Sequence, residues 1–435
     1  MNTLPADDPL RVVLHNEVHA RPSARIRFPA FIVLVGVFNE GVSREQEWAH
    51  LKLLQPDLSF EEVQGNFVRL RLRLGAYTLK WERHTEFTRY SFVQALSSDA
   101  LAQMPNPELL SFLSLPEGWL ANIPGRTFAA MELLLLHDGL LDPKLSLAQA
   151  GQWFGDHPLV ASRMGNGPHS MVVTDFQLRS NGFERLLVLA PEGTSESRAG
   201  RISQRLLELE TYRLMALRGL PVAKSVGVLL GHSERDLADI TTALQNKASQ
   251  DQGLLDRLIG LAASVELIHA EHAYRFAATA AYDKLVKERI TELRESPISG
   301  TQTIGEFMQR RLLPAMATVA ATAQRLSNLS ERISRTSALL RTRVDIASEE
   351  QNSQLLAKLT KGQELQLRLQ TTVEGLSIAA ITYYVISLTL YLGKAGKAAG
   401  LPIHPEMAAG AMVPLVLWVV WWMNKRLHDR LRRVD

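Results

Sequence analysis

One long helix is predicted by AMATVAATAQRLSNLSERISRTSALLRTRVDIA, residues Ala315–Ala347, which contains neither glycine nor proline. Small and apolar residues recur here at alternating intervals of three and four, which is the a/d seam of a coiled coil. The seam positions are Met316, Val319, Ala323, Leu326, Ser330, Ile333, Ser337, Leu340, Val344 and Ala347. Because so long a helix is not stable through propensity alone, we expect other helices, or copies of itself, to cover the seam.

Downstream, the same helix is expected to enter a membrane. The stretch Gly375–Gly393, GLSIAAITYYVISLTLYLG, has no charged residue and is long enough to cross the hydrocarbon core. A second uncharged stretch, Met407–Met423, ends in Trp418, Trp421 and Trp422, which is typical of an interfacial aromatic belt. Together they predict a two-helix transmembrane hairpin whose partner is a lipid bilayer.

Basic residues are distributed unevenly around the two stretches. They are Lys358, Lys361 and Arg368 before the first, Lys394 and Lys397 between the two, and Lys425, Arg426, Arg430, Arg432 and Arg433 after the second. Since cytoplasmic flanks carry the excess of Lys and Arg, this pattern predicts a multi-pass protein with both termini in the cytoplasm.

One face of the first stretch carries mainly small and hydroxyl-bearing residues: Gly375, Ala379, Thr382, Ile386, Thr389 and Gly393. Such residues allow close helix approach and interhelical hydrogen bonds. The same residue types also line narrow polar pores. A packing seam and a pore both remain open as interpretations of this face. Neither stretch contains an acidic, basic or histidine side chain, which argues against a proton relay in the membrane.

Composition limits the remaining possibilities. A chain of 435 residues accommodates one large or two ordinary soluble domains besides an anchor. The net charge of +3 gives no reason to expect nucleic acid as a partner. Cysteine is absent, which excludes disulfides, thiolate metal sites and cysteine nucleophiles. The first residues, Met1–Pro9, have no apolar run, so we expect no secretory signal.

Residues 1–193 are predicted to form an α+β domain, because strand-like runs alternate there with turn signals. The predicted strands are Phe31–Phe38, Phe67–Leu74, Tyr77–Arg83, Glu86–Val93, Ser170–Arg179 and Phe183–Leu189, and Arg126–Leu136 is either a strand or a buried helix. Ser43 and Gln46 predict a helix start through a capping box. A helical region follows at 194–314, with Pro314 just before a long helical, coiled-coil stalk at 315–372. The transmembrane helices at 373–393 and 407–424 and a basic cytoplasmic tail at 425–435 complete the chain.

Two groups of residues in the α+β domain suggest binding sites. His15 and His19 share a helix face and can hold a metal if a third ligand, for which His84 is the candidate, comes from elsewhere. A surface or structural role is the alternative for all three. Arg69, Arg71 and Arg73 alternate with leucines, which indicates either a solvated sheet face or a phosphate-binding face.

The helical region adds one further motif, Glu266-x-x-His269-x-Glu271-His272. Glu-x-x-His occurs in di-iron bundles, but those need a second copy, and this sequence has none. A salt-bridged helix surface is therefore predicted. Phosphate-loop, dinucleotide-binding, zinc-protease and serine-hydrolase motifs are absent from the sequence, so we expect no enzyme and identify no cofactor.

Four strings carry a family resemblance: Leu14–Pro22 (LHNEVHARP), Trp81–Phe87 (WERHTEF), Arg205–Tyr212 (RLLELETY) and Thr372–Tyr384 (TVEGLSIAAITYY). They resemble the bacterial membrane-anchored family known as domain of unknown function 3422, over nearly the whole chain. The resemblance implies an anchor in the inner (plasma) membrane and no assigned activity.

The order of the elements is also similar to that of CorA-type magnesium channels, in which a stalk helix becomes the first, pore-lining span of a pentamer. Their Gly-Met-Asn selectivity motif is missing, and Leu392-Gly393-Lys394-Ala395 occupies its place. A ring of lysines there would repel a divalent cation.

The sequence thus predicts a non-enzymatic, homo-oligomeric inner-membrane protein with a cytoplasmic head, in which the stalk helices of different copies pack along the Met316–Ala347 seam. The alternatives are a CorA-like channel or transporter of altered selectivity, and a membrane-tethered metal-binding enzyme using His15, His19 and His84.

Overall fold

The computed structural model describes residues 8–11, 14–15, 24–57, 69–97, 108–165, 169–245, 251–399 and 404–431. The chain divides into two compact units. The first, which we call the head unit, comprises Met1–Ser249 and Asp256–Thr336. The second, which we call the tail unit, comprises Gln250–Leu255 and Ser337–Asp435.

The described part of the head unit is built on a nine-stranded sheet. Its strands are β1 (Ala30–Phe38), β2 (Arg69–Leu74), β3 (Tyr77–Arg83), β4 (Phe87–Ala95), β5 (Arg126–His137), β6 (Val160–Met164), β7 (Ser170–Leu178), β8 (Glu184–Ala190) and β9 (Glu295–Pro297). Their order is β2-β3-β4-β1-β5-β8-β7-β6-β9, and every neighbouring pair is antiparallel except β5 and β8. The prediction of a mixed sheet domain followed by long helices is confirmed.

The apolar run at residues 126–136, which the sequence left as strand or buried helix, is strand β5. It pairs with β1 on one side and β8 on the other. A strand with neighbours on both sides and helices above and below needs apolar residues on both of its faces, so it shows no alternation. For that reason periodicity alone did not distinguish it from a buried helix.

One face of the sheet carries the main core. Helix α1 (Arg44–Lys52), helix α2 (Pro143–Gly151) and two 3₁₀ turns (Leu109–Phe112 and Leu120–Asn122) accompany it. Phe31, Tyr90 and Phe92 contribute fully buried rings to this core. Helix α1 begins with the predicted capping box between Ser43 and Gln46. Because successive residues of a strand point to opposite faces of the sheet, the residues in this core determine which strand residues lie on the other face.

Helix α3 (Glu196–Leu217) lies near the chain segment at 24–27. A Cβ at Gly200 would lie 1.6 Å from the carbonyl oxygen of Ala24, so only glycine permits this approach. Helices α4 (Gly219–Gln245) and α5 (Asp251–Leu293) follow. Glu208 of α3 forms an ion pair with Arg289 of α5 at 2.7 Å.

The longest helix, α6, runs from Ile304 to Ala398 and so begins earlier than the predicted start after Pro314. Thr303 and Glu306 form a capping box, with Thr303 N donating to Glu306 Oε2 and Glu306 N to Thr303 Oγ1. The carboxylate of Glu295 also accepts from the backbone N–H groups of Ile304 and Gly305. Pro314 is exposed inside the helix, where water can satisfy the carbonyl that proline leaves without a partner.

Within the head unit, the predicted seam of α6 is covered by the same chain. Met316, Val319, Leu326 and Ile333 are buried, and Arg325 forms an ion pair with Glu234 of α4 at 2.8 Å. In the tail unit Leu340 is buried and Arg343 binds Asp251 at 2.8 Å. Every residue from 345 to 373 is exposed among the described residues.

Helix α7 (Pro405–Leu431) is the last element. Three helical stretches in the described chain are long and apolar enough to cross a membrane: Glu196–Gln245, Ile304–Ala398 and Pro405–Met423. The second and third contain the two stretches predicted from the sequence. The first, which joins α3 and α4, was not predicted.

Candidate functional site

Charged residues of the Trp81–Phe87 string, which carries part of the family resemblance, form ion pairs at the turn between β3 and β4. Glu82 binds Arg89 at 2.8 Å, and Arg83 binds the fully buried carboxylate of Glu47 at 2.6 Å. Glu86 forms an ion pair with Arg275 of α5. These contacts join the turn to α1 and to α5, which gives the charged residues of the string a structural role.

The three histidines proposed as metal ligands are placed as follows. The ring of His84 is stacked on Phe87 with a centroid distance of 4.5 Å, and its backbone carbonyl accepts a hydrogen bond from Asn39 Nδ2 at 2.8 Å. His15 is exposed, and His19 lies outside the described residues. Within the described ranges, no group of three or more His, Asp or Glu side chains could hold a metal ion. The three-histidine site stays a prediction.

The Glu266–His272 motif lies on the surface of α5. Glu266, His269 and Glu271 are exposed, and His272 is half-buried with Nε2 4.0 Å from Glu271 Oε2. The side chains of such a helix surface are available to solvent rather than directed at a shared ligand.

The small-residue face of the first apolar stretch is only partly covered. Thr382 is buried and Ile386, Thr389 and Gly393 are half-buried, whereas Gly375 and Ala379 are exposed. A Cβ at Gly393 would lie 3.2 Å from Cβ of Pro405, so α6 closely approaches the start of α7 here. The hydroxyls of Thr382 and Thr389 donate within their own helix, each at 2.8 Å, to the carbonyls of Ile378 and Val385.

The arginines of β2 border a cleft between the sheet and α3. Arg71 and Arg73 are exposed while Leu72 is buried, as the alternation predicts. The cleft has an empty volume of about 560 Å³. Its charged lining residues are Arg71, Lys80, Glu82, Arg89 and Glu208. Glu82 pairs with both Lys80 and Arg89, and Glu208 pairs with Arg289, so most of the charge here is balanced internally.

A buried charge cluster lies between β8 and α3. Arg213 binds Glu184 at 3.0 Å and Glu210 at 2.6 Å, and the Glu210 side chain is fully buried. Burial raises the pKa of Glu210 to about 8, with a further increase from the neighbouring Glu184 and a partly opposing effect of Arg213. Glu210 is therefore expected to hold a proton at neutral pH.

A second group of charges lines a separate cavity in the head unit, which we call the arginine pocket. It has an empty volume of about 840 Å³. Its polar and charged lining residues are Ser170, Arg198, Arg201, Arg205, Glu292 and Arg294.

Residues 6–431 of the sequence match the family described as Protein of unknown function (DUF3422). The chain belongs to the DUF3422 family. The resemblance found in the four strings is thereby confirmed, while the CorA-like architecture has no such support. No curated protein and no solved structure matches the chain.

Two features of this DUF3422 chain were not predicted, although each leaves a signal in the sequence. Glu210 and Arg213 are ionisable residues on the side of α3 that packs against the sheet, within or next to the string Arg205–Tyr212. Arg198, Arg201 and Arg205 recur at intervals of three and four, which places them along one side of α3. The partners of these residues come from distant segments, so the sequence alone did not assemble either cluster.

Proposed function

We propose that this DUF3422 protein is an integral protein of the bacterial inner membrane, anchored by residues 375–393 and 407–423. The observation that supports it most strongly is exposure of apolar surface. In the most apolar segment of Ile304–Ala398 only 6% is buried, and in that of Pro405–Met423 only 12% is buried. Leu388, Tyr391 and Trp418 are each more than half exposed. Contact of such side chains with water costs roughly 1.5–3 kcal/mol each relative to an apolar environment, and a lipid bilayer removes that cost.

The remaining apolar stretch, Glu196–Gln245, we assign to the head rather than to the membrane. The most apolar segment of this stretch is 33% buried, and the first half of the stretch contains Leu206 and Leu209, which are buried in the head unit. It also contains the charge of Arg213, whose partner Glu184 lies in the sheet.

The bias of basic residues supports an orientation with the head unit and both termini in the cytoplasm. Lys and Arg are concentrated before the first span and after the second, and only Lys394 and Lys397 lie between them.

We further propose that the protein is a non-enzymatic homo-oligomer, joined along α6 below its covered seam. Residues 345–373 are exposed on all sides of the helix within the described chain. This stretch nevertheless carries large apolar side chains, among them Leu355, Leu359 and Leu369. A helix of this length needs tertiary contacts, and a second copy of α6 offers a matching surface.

Alkaline carbonate extraction of cell membranes tests the anchor. The full chain is expected to stay in the membrane pellet, and a chain ending at Val373 is expected to be released. Retention of the shortened chain as an integral protein would contradict the proposed spans. A reporter fused after Asp435 that proved extracytoplasmic would contradict the orientation.

No observation among the described residues favours either alternative function. The Thr382 and Thr389 hydroxyls, which a channel would present to ions, donate to carbonyls of their own helix. The metalloenzyme needs His19, which lies outside the described residues, so its metal site stays a prediction.

A further inference from the structure

The arginine pocket brings together side chains from three parts of the head unit. Arg198, Arg201 and Arg205 project from one side of the first turns of α3. Arg294 follows the last residue of α5 and has a φ of 51°. Its backbone carbonyl and that of Leu293 accept from Gly165 N, at 3.2 and 3.1 Å, which holds this end of α5 beside β6.

The positive charge of the pocket is not balanced. Glu292 is the one carboxylate among the described lining residues, and it is shared by Arg205 at 3.2 Å and Arg289 at 2.9 Å. Within the described part of the chain, Arg198, Arg201 and Arg294 form no ion pair. Arg201 and Arg294 are exposed, so water screens part of the repulsion between these guanidinium groups, and an anion bound among them would remove it.

A buried hydroxyl in the lining also lacks a partner. Ser170 is 1% exposed, and its Oγ makes no hydrogen bond among the described residues. Leaving a buried polar group unsatisfied costs roughly 1–3 kcal/mol, so such a group in a cavity wall takes its hydrogen bond from water or from a bound ligand.

We propose that the arginine pocket binds a small anion that carries phosphoryl groups. Guanidinium groups form paired, charge-assisted hydrogen bonds with phosphate oxygens. Arginines line the pocket from both α3 and the end of α5, so an anion with two phosphoryl groups can pair with both sides.

Isothermal titration of inorganic pyrophosphate into the purified full-length chain in a non-ionic detergent tests this proposal. The pocket variant is Arg198→Gln/Arg201→Gln. The matched control is Arg310→Gln/Arg311→Gln, which removes the same charge from two exposed positions of α6. We expect saturable binding by the natural chain and the control, and at least tenfold weaker binding by the pocket variant.

Two further measurements complete the test. Ser170→Ala removes only a hydroxyl, so it serves if the double variant fails to fold, and we expect it to weaken binding severalfold. Flotation with vesicles of phosphatidylglycerol or of phosphatidylcholine distinguishes the source of the phosphoryl group. Binding to the anionic vesicles that depends on Arg198 and Arg201 would identify a lipid headgroup as the ligand.

The proposal is overturned if neither pyrophosphate nor anionic vesicles bind saturably, or if the pocket and control variants bind equally well. The pyrophosphate titration does not involve the membrane anchor. Flotation supports the proposal only where it depends on Arg198 and Arg201, because the proposed spans would carry every variant to vesicles of either composition.

Discussion

At the residue scale, Glu210 combines complete burial with a carboxylate neighbour, and its protonation has a measurable consequence. The folded chain raises the pKa of Glu210 from 4.5 to about 8. Between these values the folded state binds more protons than the unfolded state, so the free energy of unfolding falls as pH rises. The stabilising contribution is complete below about pH 4.5 and is lost as pH passes through about 8.

Replacing Glu210 by Gln should remove this part of the pH dependence. Gln keeps the size of the side chain but cannot ionise, so the variant should gain stability relative to the natural chain above pH 8, by an amount on the order of a few kcal/mol. Thermal unfolding of both proteins between pH 5 and pH 9 measures the difference. The exposed Glu192→Gln serves as the control. Parallel curves for the natural chain and Glu210→Gln would show that Glu210 ionises normally.

At the scale of single elements, the two capping boxes show what sequence can predict. Ser43 and Gln46 predicted the start of α1 correctly because the signal is local. Thr303 and Glu306 give the same local signal for α6. Pro314 nevertheless predicts a helix boundary, and the helix passes through it. The second cap of α6, Glu295, belongs to a strand whose place in the sheet depends on β6. Contacts of that kind are absent from any local pattern.

For the candidate sites too, local patterns were predictable from the sequence and contacts between distant segments were not. The alternation of Arg71 and Leu72 was readable from the sequence because strand geometry alone fixes it. The arginine pocket was not predictable from the sequence, because it forms only when the end of α5 lies beside the start of α3. Likewise, sequence spacing suggested that the α6 seam meets other helices or other copies, and only the fold shows α4 of the same chain beside it.

Two glycines on successive helices provide an element-scale prediction. Gly200→Ala places a methyl group 1.6 Å from the Ala24 carbonyl oxygen, so α3 must shift, at a cost of about 1–3 kcal/mol. Gly227→Ala in α4 meets open space and should stabilise the helix by about 0.5–1 kcal/mol. Chemical denaturation of both variants checks the opposite signs. Equal effects would show that α3 and the segment at 24–27 do not make the close approach.

At the scale of the whole molecule, the absence of cysteine makes the oligomer directly testable. Single cysteines at Leu355, Leu359 or Leu369 should form disulfide-linked dimers in native membranes, because these exposed positions lie on the proposed contact between copies. Leu141→Cys is the control, since Leu141 is 97% exposed but lies in the head unit. Oxidation followed by non-reducing electrophoresis separates the disulfide-linked dimer from the monomer. Monomer alone from all three stalk positions would contradict the homo-oligomer.

The short strand β9 has a consequence for how the chain is made. It adds to the edge of β6, and it comes from residues 295–297, long after the rest of the sheet has been synthesised. Until then a growing polypeptide presents β6 as an open edge, which is a surface prone to pairing with other chains. Folding of the sheet is therefore complete only after β9 has left the ribosome, and we expect chaperones to engage the nascent chain until then.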